Sequence, residues 1–220
     1  MEVYIQFMIE DQSSAVLIDL LMEKLRHKFT DFRWNIKAFQ GIGGFTKKNT
    51  VKETKTGKLL NDLATYLSAF DKKLKGIPAA VFIIVDNDIR ETNTFRRELE
   101  QVALNKSITI DHVFCIAVEE VEAWLLGDRA AIEQAYPSAK PTILNTYIQD
   151  GICGTWELLA DAIYRGGSRK LKKDCPTYME IGERKAAWAR NIGVYMHPNK
   201  NKSPSFQYFM HELEKRLRSA

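Results

Sequence analysis

The stretch from Ala79 to Val85 reads AAVFIIV, seven residues without a polar side chain, and runs straight into Asp86-Asn87-Asp88. A strand shows its side chains to two faces in turn, so an unbroken apolar run of this length needs cover on both sides. Strands of that kind sit inside parallel sheets with helices on each face. The chain around it supplies the partners. Residues 2–9 (VYIQFMIE) carry strand-forming side chains, and Asp11 to Ser14 are suited to cap a helix. Val16, Leu17, Leu20, Leu21 and Leu25 then recur at helical spacing over 15–29. FRWNIKAF at 32–39 alternates as a second strand, and Leu59, Leu60, Leu63, Tyr66, Leu67 and Phe70 mark a second helix. A charged helix is expected over 91–104, a buried strand over 108–118, and helical spacing again from Glu119 to Leu126.

The order β-α-β-α-β-α-β-α over the first 130 residues predicts an α/β fold with a parallel sheet flanked by helices. Beyond it the pattern turns helical, with helices expected over 155–164, 179–196 and 205–218 and a turn flanked by Pro137 and Pro141. The expected organisation is an α/β core over 1–130 and a helical C-terminal extension over 131–220 packed on it. Trp124, Trp156 and Trp188 fall at apolar helical positions and are expected as packing anchors.

Composition narrows the class without naming a function. A 45% hydrophobic and 27% charged chain is ordinary for a globular protein, and its net charge of +4 accommodates a phosphate-rich partner without requiring one. Cys115, Cys153 and Cys175 are odd in number and far apart, which argues against a disulfide framework and for a reducing, cytoplasmic compartment. No basic leader opens the sequence, and no apolar run approaches the roughly 18 residues of a membrane span, so no membrane association is expected.

In open α/β sheets, ligands bind at the carboxyl ends of the strands. Three strands deliver acids to that edge: Glu10 and Asp11 after the first, Asp86 and Asp88 after the third, Glu119, Glu120 and Glu122 after the last. Clustered carboxylates raise one another's pKa values unless a cation offsets them. An all-oxygen set suits Mg²⁺ or Mn²⁺, and the chemistry supported there is phosphoryl transfer or phosphodiester hydrolysis. Each acid also has a plainer reading. Asp and Asn end strands as turn residues, Glu10 is well placed to cap a helix, and Glu119 to Glu122 suit a helix N-terminus. Their coincidence at one edge favours the metal site.

An apolar strand ending in glutamate, then a later strand ending in Asp-x-Asp, resembles the Toprim domain of topoisomerases, primases and nucleases of the overcoming-lysogenisation-defect type. More closely, the chain resembles a bacterial Toprim-like family of unknown function. The matching stretches are Ile9-Glu10-Asp11, Gly57-Lys58 before a leucine-rich helix, Val85-Asp86-Asn87-Asp88, and the segment EEVEAWLLGD from Glu119 to Asp128. Lys185 with Ala189, and Asn201-Lys202-Ser203-Pro204-Ser205-Phe206, complete them. The resemblance implies a Toprim-like core in which Glu10 is general acid or base, or a metal ligand, while Asp86 and Asp88 bind Mg²⁺. It also implies an ATPase partner of the ATP-binding-cassette kind and a role in phage or plasmid defence. Related nucleases carry a glycine after the first glutamate and an acid shortly beyond. Asp11 and Ser13-Ser14 stand there instead, so ligands for a second metal would have to come from Asp11 or Glu119 to Glu122.

Two lysine-rich loops, Lys47 to Lys58 and Arg165 to Lys173, are candidate phosphate contacts, each with the plainer reading of a solvated loop. Lys58, where a loop meets a helix, and Lys185, beside Arg184 and Arg190, are the phosphate-binding candidates. The first loop lacks the spacing of a Walker loop. His27, His112, His197 and His211 show no metal-ligand spacing, and no nucleophile elbow is present. A receiver domain is disfavoured because the fourth strand ends without the lysine it needs. A haloacid-dehalogenase-type phosphatase is disfavoured because two strands precede the Asp-x-Asp. The expectation is a Mg²⁺- or Mn²⁺-dependent nuclease acting on nucleic acid. The alternative is a non-catalytic Toprim-like scaffold that binds an ATPase or nucleic acid.

Overall fold

The computed structural model describes residues 2–41, 58–151 and 154–218. Four strands, β1 (Val3–Ile9), β2 (Phe32–Ala38), β3 (Ala79–Asp86) and β4 (Asp111–Ala117), form one all-parallel sheet in the order β2-β1-β3-β4. The fold is the expected α/β architecture with a helical C-terminal part. Helices α1 (Gln12–Leu25), α2 (Leu59–Lys73) and α3 (Thr92–Asn105) connect the strands, and α4 (Glu122–Leu126) follows β4. Then come α5 (Arg129–Ala135), α6 (Pro141–Leu144), α7 (Thr155–Ile163), α8 (Gly167–Asp174), α9 (Tyr178–Gly193) and α10 (Pro204–Arg218).

The alternation of the strands sorts the core into two layers. Met8, Val81, Ile83, Val85, Phe114 and Ile116 pack against Leu59, Leu60, Leu63 and Leu67 of α2 and Phe95 and Leu99 of α3. On the other face Ile5, Phe7, Phe82, Ile84 and Cys115 meet α1 and the C-terminal helices. Phe209 of α10 sits at the centre of that second layer. Its ring lies 6.4 Å from Phe7, 6.1 Å from Phe82 and 5.2 Å from Trp124. The segment beyond residue 130 therefore completes the core of the sheet. Arg216 holds α10 to the first residue of β4 through two bonds of 2.6 Å to the Asp111 carboxylate. Trp124 and Trp188 are buried and Trp156 is partly so, as their spacing predicts.

Two boundaries differ from expectation for local reasons. The first helix starts at Gln12 because the Asp11 carboxylate accepts from the Ser14 amide at 2.8 Å and caps it there. The second basic segment, expected as a loop, is largely α8. Gly166 and Gly167 take positive φ angles of 95° and 72°, and the Asp161 carboxylate accepts from the Ser168 amide at 2.6 Å, which turns the chain out of α7 into a new helix. Lys47 to Gly57 of the first basic segment, and Cys153, lie outside the described residues. Cys115 and Cys175 are buried free thiols. Among the described residues no helix is long and apolar enough to cross a membrane.

The segments Glu119–Asp128 and Asn201–Phe206 lock each other. Asn201 donates from its side-chain amide to the Trp124 carbonyl at 2.7 Å and accepts from the Ser203 amide at 2.9 Å. The Lys202 amide donates to the Gly127 carbonyl at 2.8 Å, and the Trp124 indole donates to the Ser205 hydroxyl at 2.9 Å. Asp128 accepts from the Ala131 amide at 3.1 Å and the His197 amide at 2.8 Å. Gly127 is tight against this knot: a Cβ there would stand 2.1 Å from the Asn201 side-chain oxygen and 2.8 Å from its carbonyl carbon. Gly127→Ala is therefore expected to cost about 2–4 kcal/mol, overpacking and a broken buried hydrogen bond together. Urea unfolding followed by far-UV circular dichroism measures it. Adding Asn201→Ala should recover part of the loss, and strict additivity of the two would refute the clash.

Candidate functional site

From β1 the chain passes through α1 to β2 on one side, then crosses back through α2 to β3 on the other side of β1, so the switch in winding direction falls between β1 and β3. Crevices form outside the carboxyl ends of strands at such a point. Glu10 and Asp86 meet there. The Glu10 amide donates to the Ile84 carbonyl at 3.2 Å, and its own carbonyl accepts from the Gly41 amide at 2.9 Å. With the backbone fixed on both sides, the Glu10 carboxylate accepts through Oε2 from the Asp86 amide at 3.0 Å. Asp86 is 6% exposed, and among the described residues its Oδ1 is buried without a hydrogen-bond partner. A buried oxygen left so is costly unless a proton or a cation sits against it.

Asp88 lies at the rim. It adopts a positive φ of 50°, is over half exposed, and is held by Arg90 at 3.0 Å. Its charge still acts on Glu10. Between the two aspartates Asn87 is fully buried and serves as a clamp. It accepts from the Glu119 amide at 2.5 Å and donates to the Arg90 carbonyl at 3.0 Å and the Thr92 hydroxyl at 2.8 Å. The sequence reading treats Asn87 as a turn residue. Its one signal is an amide side chain placed where two carboxylates need a fixed geometry.

The four further acids divide into two kinds. Asp11 caps α1, its carboxylate accepting from Ser13 Oγ at 2.6 Å and Ser14 Oγ at 2.9 Å as well as from the Ser14 amide. Glu119 caps α7 by accepting from the Gly154 and Thr155 amides at 2.7 and 2.8 Å. Both carboxylates therefore have structural work in place of the ligand role considered for them. Glu120 and Glu122 instead face Lys185, at 3.3 and 3.0 Å, with the Thr155 hydroxyl on Glu120 at 3.2 Å. Thr155 is a neighbour that the sequence reading does not find, because the contact spans 35 residues.

Lys185 reaches this edge because α9 packs on α1. Near the end of α1, Lys24 donates to the Val194 and Met196 carbonyls at 2.7 Å each, just past the end of α9. Gly193 brings α9 against Leu17 and Leu20. At the other end, Tyr178 at the start of α9 is within the field of Asp11 at the start of α1. The two helices thus run side by side in one direction, and both N-termini point to the acidic edge. The phosphate-binding role expected for Lys185 gives way to that of a counter-ion, since its ammonium is engaged by two carboxylates. Lys58 precedes α2 and donates to the Gln40 carbonyl, beside the Gly41 peptide that supports Glu10.

Burial dominates the electrostatics. Loss of water raises the Glu10 carboxyl to a pKa of about 7; Asp11 and Asp88 add to the rise, and the Asp86 amide and Lys185 oppose it. Asp86 is pushed well above the usual carboxylate range by burial and then by Glu10 and Asp11. Glu122 is raised to about 7 by burial, against the pull of Lys185. Glu120 is raised for the same reason. The Lys185 ammonium is held well above its ordinary value: its burial works against the charge, but Glu122, Glu120 and Asp86 outweigh it. Among the described residues, no three carboxylate, imidazole or thiol groups form a ready cation cage. The donor chemistry nevertheless fits a hard divalent cation at Glu10 and Asp86: two oxygen ligands, one without a partner, in surroundings where like charge is uncompensated.

A pH dependence follows with a definite sign. Glu10 and Glu122 have folded pKa values near 7, above the ordinary 4.5, so the folded protein binds their protons more tightly. Their contribution is fully present below about pH 4.5 and is lost as pH rises through 7. In metal-free buffer, the melting temperature is expected to fall between pH 5 and 8. Glu10→Gln should flatten the slope, and Asp86→Ala should leave stability unchanged or raise it. A melting temperature that climbs over that range would show that Lys185 compensates the acids completely. No family model, curated protein or solved structure matches the chain, so the reading of this edge rests on its own geometry and chemistry.

Proposed function

We propose that this chain is a Toprim-like, metal-dependent phosphodiester hydrolase acting on nucleic acid, with Glu10 and Asp86 at its centre and Asp88 at its rim. The observation that carries the reading is the pairing of Glu10 with the Asp86 amide at the switch point of the sheet, beside a buried Asp86 oxygen that lacks a partner. Mg²⁺ or Mn²⁺, when bound, supplies positive charge for a phosphate and acidifies a water molecule. Glu10, Asp86 and Asp88 are the residues that would hold it. Glu10, which accepts from the Asp86 amide at this edge, is the residue that would take a proton from an attacking water or deliver one to the departing oxygen. Lys185 keeps Glu120 and Glu122 from adding uncompensated charge. The N-termini of α1 and α9 turn their partial positive charge toward the same edge. Cooperation with an ATP-binding-cassette-type ATPase, in defence against phage or plasmid, is the setting that the motif resemblance supports.

One observation favours the second reading, a non-catalytic scaffold. Lys185 already places a cation between Glu120 and Glu122 and acts on Asp86, so the protein supplies its own counter-ion. The two readings separate in a single assay. Purified protein, with and without a candidate ATPase, is incubated with plasmid, single-stranded DNA and tRNA in Mg²⁺, Mn²⁺ or EDTA. The hydrolase reading expects cleavage that requires the metal and falls at least about 100-fold in both Glu10→Gln and Asp88→Asn, the scale of losing a general acid or base. Cleavage that survives both substitutions places the chemistry elsewhere. Metal binding by calorimetry without cleavage of any substrate selects the scaffold.

A further inference from the structure

The basic face of α8 has no part in the site described above. Arg165, Arg169, Lys170, Lys172 and Lys173 fall within nine residues that contain no acid. Lys170 and Lys172 are engaged, by Asp174 at 2.9 Å and Glu157 at 3.1 Å. Arg165, Arg169 and Lys173 are exposed, and among the described residues no carboxylate lies within ion-pair reach of them. Arg169 and Lys173 are four residues apart in α8 and share one of its faces. From the end of α8 the chain passes through Cys175 and Pro176 to Thr177, whose hydroxyl and the Glu180 carboxylate form a capping box at the start of α9. The first residue of α9 is Tyr178, 90% exposed, followed by Met179 at 73%. Tyr178 lies seven residues before Lys185, two turns along the same face of the helix. Its hydroxyl is within the field of Lys185, Asp11, Glu10 and Glu120. An exposed aromatic ring thus follows the basic segment in the chain and lies within the field of the acidic edge.

We propose that the exposed face of α8 and Tyr178 form a binding ridge for single-stranded nucleic acid, in which Arg165, Arg169 and Lys173 contact successive phosphates and Tyr178 stacks on an unpaired base at the entrance to the acidic edge. The inference rests on the reading of nucleic acid as the substrate and names its class. The acidic edge repels a polyanion, so the strand needs cations outside that edge to hold it. Base–aromatic stacking tolerates any sequence but needs a base free of its own stack, which an intact duplex does not offer.

Binding rather than cleavage tests this, with the full chain in EDTA. Fluorescence anisotropy is read on labelled oligothymidylate, on a duplex of the same length, and in competition with vesicles containing phosphatidylserine. The triple variant Arg165→Ser/Arg169→Ser/Lys173→Ser is expected to flatten the dependence of log affinity on log salt by about 2, the value for three lost contacts to a single strand. Tyr178→Ala should weaken single-strand binding roughly 5- to 100-fold and leave duplex binding unchanged, while Tyr178→Phe binds as the parent does. Glu10→Gln should bind at least as tightly as the parent. An unchanged salt slope in the triple variant, full affinity in Tyr178→Ala, or preference for the vesicles over the oligonucleotide overturns the proposal. Metal-dependent cleavage with binding indifferent to these residues sinks the ridge alone. Ridge-dependent binding without cleavage under any metal sinks the hydrolase and leaves the ridge.

Discussion

Asp86 and Glu10 share one backbone amide and very little water. Two carboxylates so placed cannot both be ionised cheaply, and much of the surrounding structure answers that difficulty. Asp11 and Glu119, two further acids of this edge, are each turned onto helix N-termini, where their charge meets amide donors. Glu120 and Glu122 are tied to Lys185, drawn from a helix more than sixty residues away. Among the buried carboxylate oxygens of the described residues, Asp86 Oδ1 is the one without a hydrogen-bond partner. That contrast singles out the Glu10–Asp86 pair from the other acids of the edge.

The resemblance motifs gain a different meaning from their contacts. Glu119 to Asp128 and Asn201 to Phe206 look like parts of a site when read as sequence, yet Asn201 and Ser205 bind Trp124, and Asp128 accepts from the amides of Ala131 and His197. Asp150 joins them by accepting from the Ser203 hydroxyl and the Ser205 amide at 2.6 Å each. This knot holds the C-terminal end of α4, the helix that opens with Glu122. Motif and mechanism are connected here through geometry, with Glu120 and Glu122 the only motif residues that reach Lys185.

Strand residues were legible because burial on both faces leaves an unmistakable trace: AAVFIIV admits no other element in a sheet of this kind. The strand ends, and hence Glu10 and Asp86, came with it. What the sequence could not reveal was pairing across distance. β1 lies between β2 and β3, and nothing local in Val3–Ile9 declares its two neighbours. Likewise the capping role of Glu119 depends on the Gly154 and Thr155 amides, which only tertiary structure brings near, whereas Asp11 caps through the local Ser14 amide. Arg165 to Lys173 misled for another reason. Two glycines and a serine beside five cations suggest a solvated turn, whereas Leu171, fully buried, is enough to dock the segment as a helix.

Phe209 sits at the centre of the second core layer, against Phe7 and Phe82. Those rings belong to the first strand and the third, while Phe209 lies near the end of the chain. During synthesis, the whole sheet can emerge and pair long before α10 exists to cover it. Until then the part of its aromatic face that α10 covers is open to solvent, a surface to which other nascent chains or a chaperone would adhere. Docking of α10 is also a contact between the most distant parts of the sequence, and contacts of that span slow folding. The core of the sheet is therefore complete only once α10 has been made, and a chain truncated shortly before Pro204 would be prone to aggregate.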